Sequence, residues 1–201
     1  MIKRTQVIKA QKAAAKQLKA AGIVLTKAEE AKIEVADFGL DELEVSGLQI
    51  VVYENNDRYC AKELILFPGQ TCPEHLHPPV GNDPGKRETF RVRTGTVYVY
   101  VDGPAVKKPK ARLPKGGTYR VFNEIVMKPG DQYTIEPGTW HWFQAGKKGA
   151  IVTEFSSTSR DEFDVFSDSR IKRIPEIEED VKPAKKPSKS KGKASRAKSA
   201  K

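Results

Sequence analysis

Between residues 47 and 155 turn signals recur so often that no long helix and no strand-helix-strand crossover fits. Glu54-Asn55-Asn56-Asp57, Pro68-Gly69, Asp102-Gly103-Pro104, Lys128-Pro129-Gly130 and Pro137-Gly138 each interrupt the chain. The runs between them, 48–53, 60–67, 96–101, 132–135, 140–144 and 151–155, are rich in β-branched and aromatic residues and are predicted strands. Many short strands at close spacing imply an all-β sandwich, jelly roll or closed barrel and exclude a parallel α/β fold. The proline-bearing stretch 106–117 reads as a loop or an edge hairpin.

The chain ahead of this region is different. From Thr5 to Ala21, the residues Val7, Ile8, Ala10, Ala14, Leu18 and Ala21 recur at helical spacing among Lys and Gln, and Gly22 stops the pattern. Thr26 with Glu29 three residues on forms a capping box for a second, shorter helix. Residues 1–46 therefore read as a helical segment packing on a barrel domain over 47–181. The acidic, aromatic-bearing stretch after Phe155 is expected to pack back on that barrel.

The length of 201 residues is enough for one sizeable core. The formal charge of +10 suggests a nucleic-acid partner until its distribution is considered. Residues 182–201 hold eight Lys plus Arg196 and no acid, which leaves 27 basic against 26 acidic side chains in the rest. That tail has no large apolar side chain and is expected to be disordered, with at most weak, non-specific, salt-sensitive attraction to polyanions. No apolar run is long enough to span a bilayer, and the N-terminus lacks a secretory h-region. Two cysteines, Cys60 and Cys72, read as small buried hydrophobes, which suits a cytoplasmic protein without disulfides.

Three histidines carry the chemistry. His75 and His77 are one residue apart, so on a strand both side chains point to one face. Glu88 opens a further β-like run, and His141 lies between Trp140 and Trp142 just after a Pro-Gly turn. Three imidazoles and a carboxylate suit manganese, iron, cobalt, nickel or zinc and do not suit calcium or magnesium. On an octahedral ion four such ligands leave two positions for water or substrate.

Gly69, His75-Leu76-His77, Glu88 and Gly95 resemble the first motif of the cupin superfamily, and Gly130, Pro137-Gly138 and His141 the second. The ten-residue gap between His77 and Glu88 exceeds the family's usual three or four, and the Pro-Gly-to-His spacing is one short. A loop insertion from Pro78 to Arg87 explains the first difference. The segments around Cys72–Pro78, Gly85–Val92, Gly138–Gly146 and Ser159–Asp164 resemble the D-lyxose ketol-isomerase family more closely still. That resemblance implies a jelly-roll cupin barrel, a homodimer, a monosaccharide substrate, aldose–ketose interconversion and a divalent metal, usually manganese. It carries the metal ligands over to His75, His77, Glu88 and His141.

Such a reaction takes a proton from C2 of the sugar and returns it to C1, which requires a positioned acid/base group near the metal. Glu154 stands in an otherwise apolar strand, where a carboxylate is paired or functional, and is the expected proton carrier. Lys86, two residues before Glu88, is expected to polarise the carbonyl or, with a lowered pKa, to move a proton. Lys62, Trp142 and Asp164 are expected substrate contacts. A cupin dioxygenase using the same ligands and a metal-containing sugar-binding cupin without turnover are the alternatives.

Overall fold

The computed structural model describes residues 1–180, and the expected disordered tail lies outside them. The chain runs β1 (Ile2–Lys3), α1 (Arg4–Ala20), α2 (Lys27–Lys32), β2 (Glu34–Ala36), β3 (Leu48–Asn55), β4 (Cys60–Leu66), β5 (Thr71–Leu76), β6 (Glu88–Val101), β7 (Asn123–Met127), β8 (Gln132–Ile135), β9 (His141–Ser156), β10 (Val165–Phe166) and β11 (Ile177–Glu178). A single 3-10 turn, Asp161–Phe163, precedes β10.

Two long strands organise the barrel. β6 and β9 pair antiparallel from Glu88 opposite Ser156 to Val101 opposite His141. The first half of β9 also pairs with β5 and its second half with β4, while β6 takes β8 along its first half and β7 along its second. One strand pair thereby serves both sides of a curled sheet. Register shifts at Val92/Thr94 and Gly95/Val97 let the pair bend. Gly95 is required there: its φ is +78°, and a Cβ would stand 2.0 Å from the Gly149 carbonyl oxygen.

Alternation then sorts the side chains. On β9, Phe143, Ala145, Ala150 and Val152 face inward and join Leu64, Leu66, Phe90, Val97 and Val99 in the barrel core. Ile151 faces outward, where Ala14 and Leu18 of α1 cover it together with Val51 and Ile65. The helix is amphipathic for this reason, with Val7, Ala10, Ala14 and Leu18 as its buried stripe. It ends at Ala20, two residues before the φ of +76° at Gly22. The Thr26–Glu29 capping box is present at the start of α2.

The sequence divides two elements that the structure keeps whole. The runs 140–144 and 151–155 are parts of one 16-residue strand, and the run at Glu88 continues into 96–101. Glycines at 95, 146 and 149 read as breaks, whereas in the sheet they mark bends. The stretch 106–117 forms no strand. β7 is missed because it opens on Asn123 and Glu124 and is only half buried. The acidic segment does return to the barrel: β10 pairs with β5, β11 with β1, and Asp180 accepts the Thr5 amide at 2.8 Å.

Candidate metal centre and active site

Strand ends bring the candidate ligands together. β5 delivers His75, His77 lies just past its end, β9 opens at His141 and β6 opens at Glu88. Each imidazole is oriented through Nδ1, which faces the Pro73 carbonyl at 2.8 Å in His75, the Thr139 carbonyl at 2.9 Å in His141 and Asp164 Oδ1 at 2.5 Å in His77. An acceptor on Nδ1 makes that nitrogen the N–H donor and leaves the Nε2 lone pair free. One ligand atom from each histidine lies within 4.8 Å of the other two. Glu88 Oε1 stands 3.0 Å from His141 Nε2 and 3.5 Å from His77 Nε2.

Those atoms also lack partners. His77 Nε2, His141 Nε2 and Glu88 Oε1 are buried without a hydrogen bond. Three orphaned polar atoms converging on one point are costly in a folded protein unless a cation satisfies them together. Nitrogen donors with one carboxylate match a first-row divalent ion, so the residues fit the expected metal. Burial, with His141 and His77 adding to it, pulls His75 well below the usual histidine range, so it stays neutral and able to ligate. Burial opposes the charge on Glu88, but Lys86 and then His77 outweigh it and hold the carboxyl well below the usual carboxylate range.

Beside the histidines lies a buried charge cluster. Lys86 Nζ reaches Glu88 at 2.7 Å, Glu154 at 3.2 Å and Asp161 at 3.8 Å. Lys62 Nζ donates to Ser159 Oγ at 2.7 Å and Asp161 at 2.9 Å, and stands 4.0 Å from Glu154. Arg173 closes the cluster, bonding Asp161 at 2.7 Å and Glu34 at 2.5 Å. The Asp161 carboxyl is opposed by burial, but Lys86, Lys62 and Arg173 hold it well below the usual range. All of these except Ser159 and Glu34 line one cavity with His75, His77 and Glu88, its apolar wall including Phe38, Phe90, Phe143 and Phe166. Phe166 stacks on the His75 ring with centroids 5.5 Å apart.

The sequence expectations divide accordingly. Lys62, His75, His77, Lys86, Glu88, Glu154 and Asp164 all line the cavity, and His141 meets Glu88 at its edge. Glu154 shares the inner face with Phe143 because eleven residues and the bend at Gly146–Gly149 leave both facing inward. Lys86 precedes β6 rather than belonging to it, and its pKa moves opposite to expectation. Burial lowers it, but Glu154, Glu88 and Asp161 more than offset burial, so it stands as an ammonium well above the usual lysine range. Asp164 is spent on His77 Nδ1.

Trp142 is a correction. Its ring stacks on Tyr100 with centroids 4.0 Å apart, its Nε1 donates to the Val121 carbonyl at 2.8 Å, and it is fully buried on the outer face. Alternation places it opposite to His141 and Phe143, so it does not reach the cavity. Asp161 and Arg173 are the members that residue-by-residue reasoning passed over. Asp161 stood inside the Ser159–Asp164 motif that carries the resemblance, whereas no local signal marks Arg173, which is brought in from the segment after β10.

Comparison with known proteins agrees with this architecture. The D-lyxose isomerase family matches residues 9–188. A D-lyxose/D-mannose isomerase of Thermosediminibacter oceani is 60% identical over 181 residues, covering 89% of this chain and 100% of that protein. A D-lyxose ketol-isomerase of Cohnella laeviribosi is 62% identical over 168 residues, 83% of this chain and 92% of that one. Among solved structures, the L-ribose isomerase of Geodermatophilus obscurus superposes with a TM-score of 0.67 over 88% of this chain and 98% of that one at 15% identity, a likeness of fold. Family match, identity over nearly the whole described chain and a cupin-type barrel coincide: the chain belongs to the D-lyxose isomerase family.

Proposed function

We propose that the protein interconverts an aldose and its ketose, D-lyxose and D-xylulose first, by proton transfer between C2 and C1. The observation that carries this reading is the meeting of orphaned ligand atoms with a buried Lys86–Glu154 pair at 3.2 Å. His75, His77, Glu88 and His141 would hold a divalent metal, manganese by family resemblance, which would supply Lewis acidity toward the sugar oxygens as negative charge develops on them.

The remaining work belongs to the chain. Glu154 takes the proton from C2 on a carboxylate oxygen and returns it to C1, while the hydroxyl proton on O2 is exchanged for one on O1. Lys86 keeps its ammonium and donates to a sugar oxygen, so its part is charge stabilisation and orientation rather than proton transfer. Lys62 and Asp161 bind hydroxyl groups farther from the reacting carbons, and Asp164 fixes the His77 ring. Phe143 and Phe166 exclude water from the reacting atoms.

Free, buried Cys60 and Cys72 support a reducing, cytoplasmic setting. Tyr53 and Phe155, half exposed on the outer sheet face, offer apolar surface for a homodimer, which light scattering tests. No helix among the described residues is long and apolar enough to cross a membrane.

Turnover in heavy water tests the reaction. Deuterium appears on the sugar carbon beside the carbonyl, and Glu154→Gln keeps one metal per chain while losing about 10²- to 10⁴-fold in turnover. Oxygen consumption instead of isomerisation marks a dioxygenase, and a filled metal site with no turnover on any pentose or hexose marks a binding protein. Normal turnover in Glu154→Gln moves the proton-transfer role to another residue.

A further inference from the structure

Behind the histidines, on the outer face, one arginine spans the two strands that carry them. The β5–β9 ladder is irregular here: Cys72 pairs with Phe143 and His75 with His141, so Pro73 and Glu74 together face Trp142. Pro73 offers the ladder no N–H, and its carbonyl takes the His75 Nδ1 proton at 2.8 Å. A bulge of this kind re-aims a side chain and weakens local pairing. The ligand spacing therefore rests on something besides the ladder.

That support is visible. Glu74, beside His75, is fully buried, and its carboxylate accepts the Arg120 amide at 2.6 Å, Arg120 Nε at 2.9 Å and the Val121 amide at 3.0 Å. The Arg120 guanidinium carbon also lies 3.7 Å from the centre of the Trp140 ring, and Trp140 immediately precedes His141. Arg120 thus bonds the neighbour of one ligand and stacks on the neighbour of the other.

We propose that Arg120 is a positioning residue of the metal site, clamping Glu74 and Trp140 so that His75 and His141 keep their separation across the bulge. Its planar fork performs both tasks at once, which an ammonium cannot do. Without it the buried Glu74 carboxylate loses its cation, and the bulged end of β5 loses its tie to β9. The proposal rests on the metal site described above.

Manganese affinity of the full-length chain by chelator competition, the manganese magnetic-resonance spectrum and the melting temperature of the metal-free protein test it together. Arg120→Ala weakens manganese binding about tenfold and broadens the spectrum, a loss larger than its lowered metal-free melting accounts for. Arg120→Lys restores part of the affinity, since it keeps the ion pair and loses the fork and the flat stack. Native affinity in Arg120→Ala overturns the proposal. So does an affinity that falls only in step with metal-free melting across Arg120→Ala, Arg120→Lys and Glu74→Gln, because that is the signature of a general scaffold contact. Should Arg120→Ala not fold, Arg120→Lys and Trp140→Leu carry the same comparison. An unaltered chain that binds no manganese overturns the metal reading itself, an outcome distinct from tight binding that ignores Arg120.

Discussion

The two faces of β9 are built from alternating residues of one strand and do different work. Inward, His141, Phe143 and Glu154 meet ligand atoms, cavity wall and a buried lysine. Outward, Trp142 and Gln144 meet only structure: Trp142 stacks on Tyr100, and Gln144 bonds Thr71, the Arg112 amide and the Arg112 carbonyl. The faces also differ in satisfaction. Outer polar atoms have partners within the chain, whereas His141 Nε2 has none. His141 and Glu154 thus serve the site, whereas Trp142 and Gln144 serve the fold.

Breaking the inner face gives the largest effect. His141→Ala removes one of the four proposed ligands, so metal binding is expected to fall by more than about a hundredfold and turnover with it. His75→Ala behaves alike. Elemental analysis after dialysis reads the loss directly, and full metal content in both variants contradicts the site.

Moving one layer back sharpens the contrast. Asp164→Asn leaves all four proposed ligands but replaces the carboxylate that takes the His77 Nδ1 proton at 2.5 Å. The ring is then less basic and less firmly held, and metal affinity drops about 10- to 100-fold. Excess manganese recovers most of the turnover, whereas a direct role of Asp164 on the substrate leaves a kcat deficit that metal does not repair.

How much of this could be read beforehand follows from the range of each interaction. The grouping of His75, His77, Glu88 and His141 was legible because a short spacing on strand ends is local and because the two cupin-like motifs carry all four. The helix over Arg4–Ala20 and the capping box at Thr26 were legible for the same reason. Which of Trp140, Trp142 and Phe143 enters the cavity was not, since one residue of register exchanges the faces and the register is set by β5 and β6. Arg173 was hidden because its partners Glu34 and Asp161 come from separate parts of the chain. The direction of the Lys86 shift depends on three carboxylates that only the folded barrel assembles.

The outer face predicts the complementary phenotype. Trp142→Phe deletes the donor to the Val121 carbonyl and part of a fully buried ring, which costs roughly 1–3 kcal/mol for the unpaired group alone. Denaturant melts report that loss. Metal content and kcat/KM stay at native values, because no atom of Trp142 lines the cavity. A raised KM with unchanged stability places the ring against substrate after all and dissolves the distinction between the faces.

The smallest effect is expected farthest from both faces. Asp180 is the last described residue and is already tied to the Thr5 amide and hydroxyl, while Glu179 pairs with Arg4, so the barrel and its helices are closed before the basic tail begins. Ending the chain after Asp180 removes nine positive charges and no candidate ligand. Metal content, kcat and KM should match those of the full chain within error. Any binding to a polyanion such as heparin or DNA should disappear with the tail, and in the full chain it should weaken steeply as salt rises. Lost turnover in a truncated protein that still melts cooperatively makes the residues after Asp180 part of the site, and then an appendage separable from catalysis is the wrong description of them.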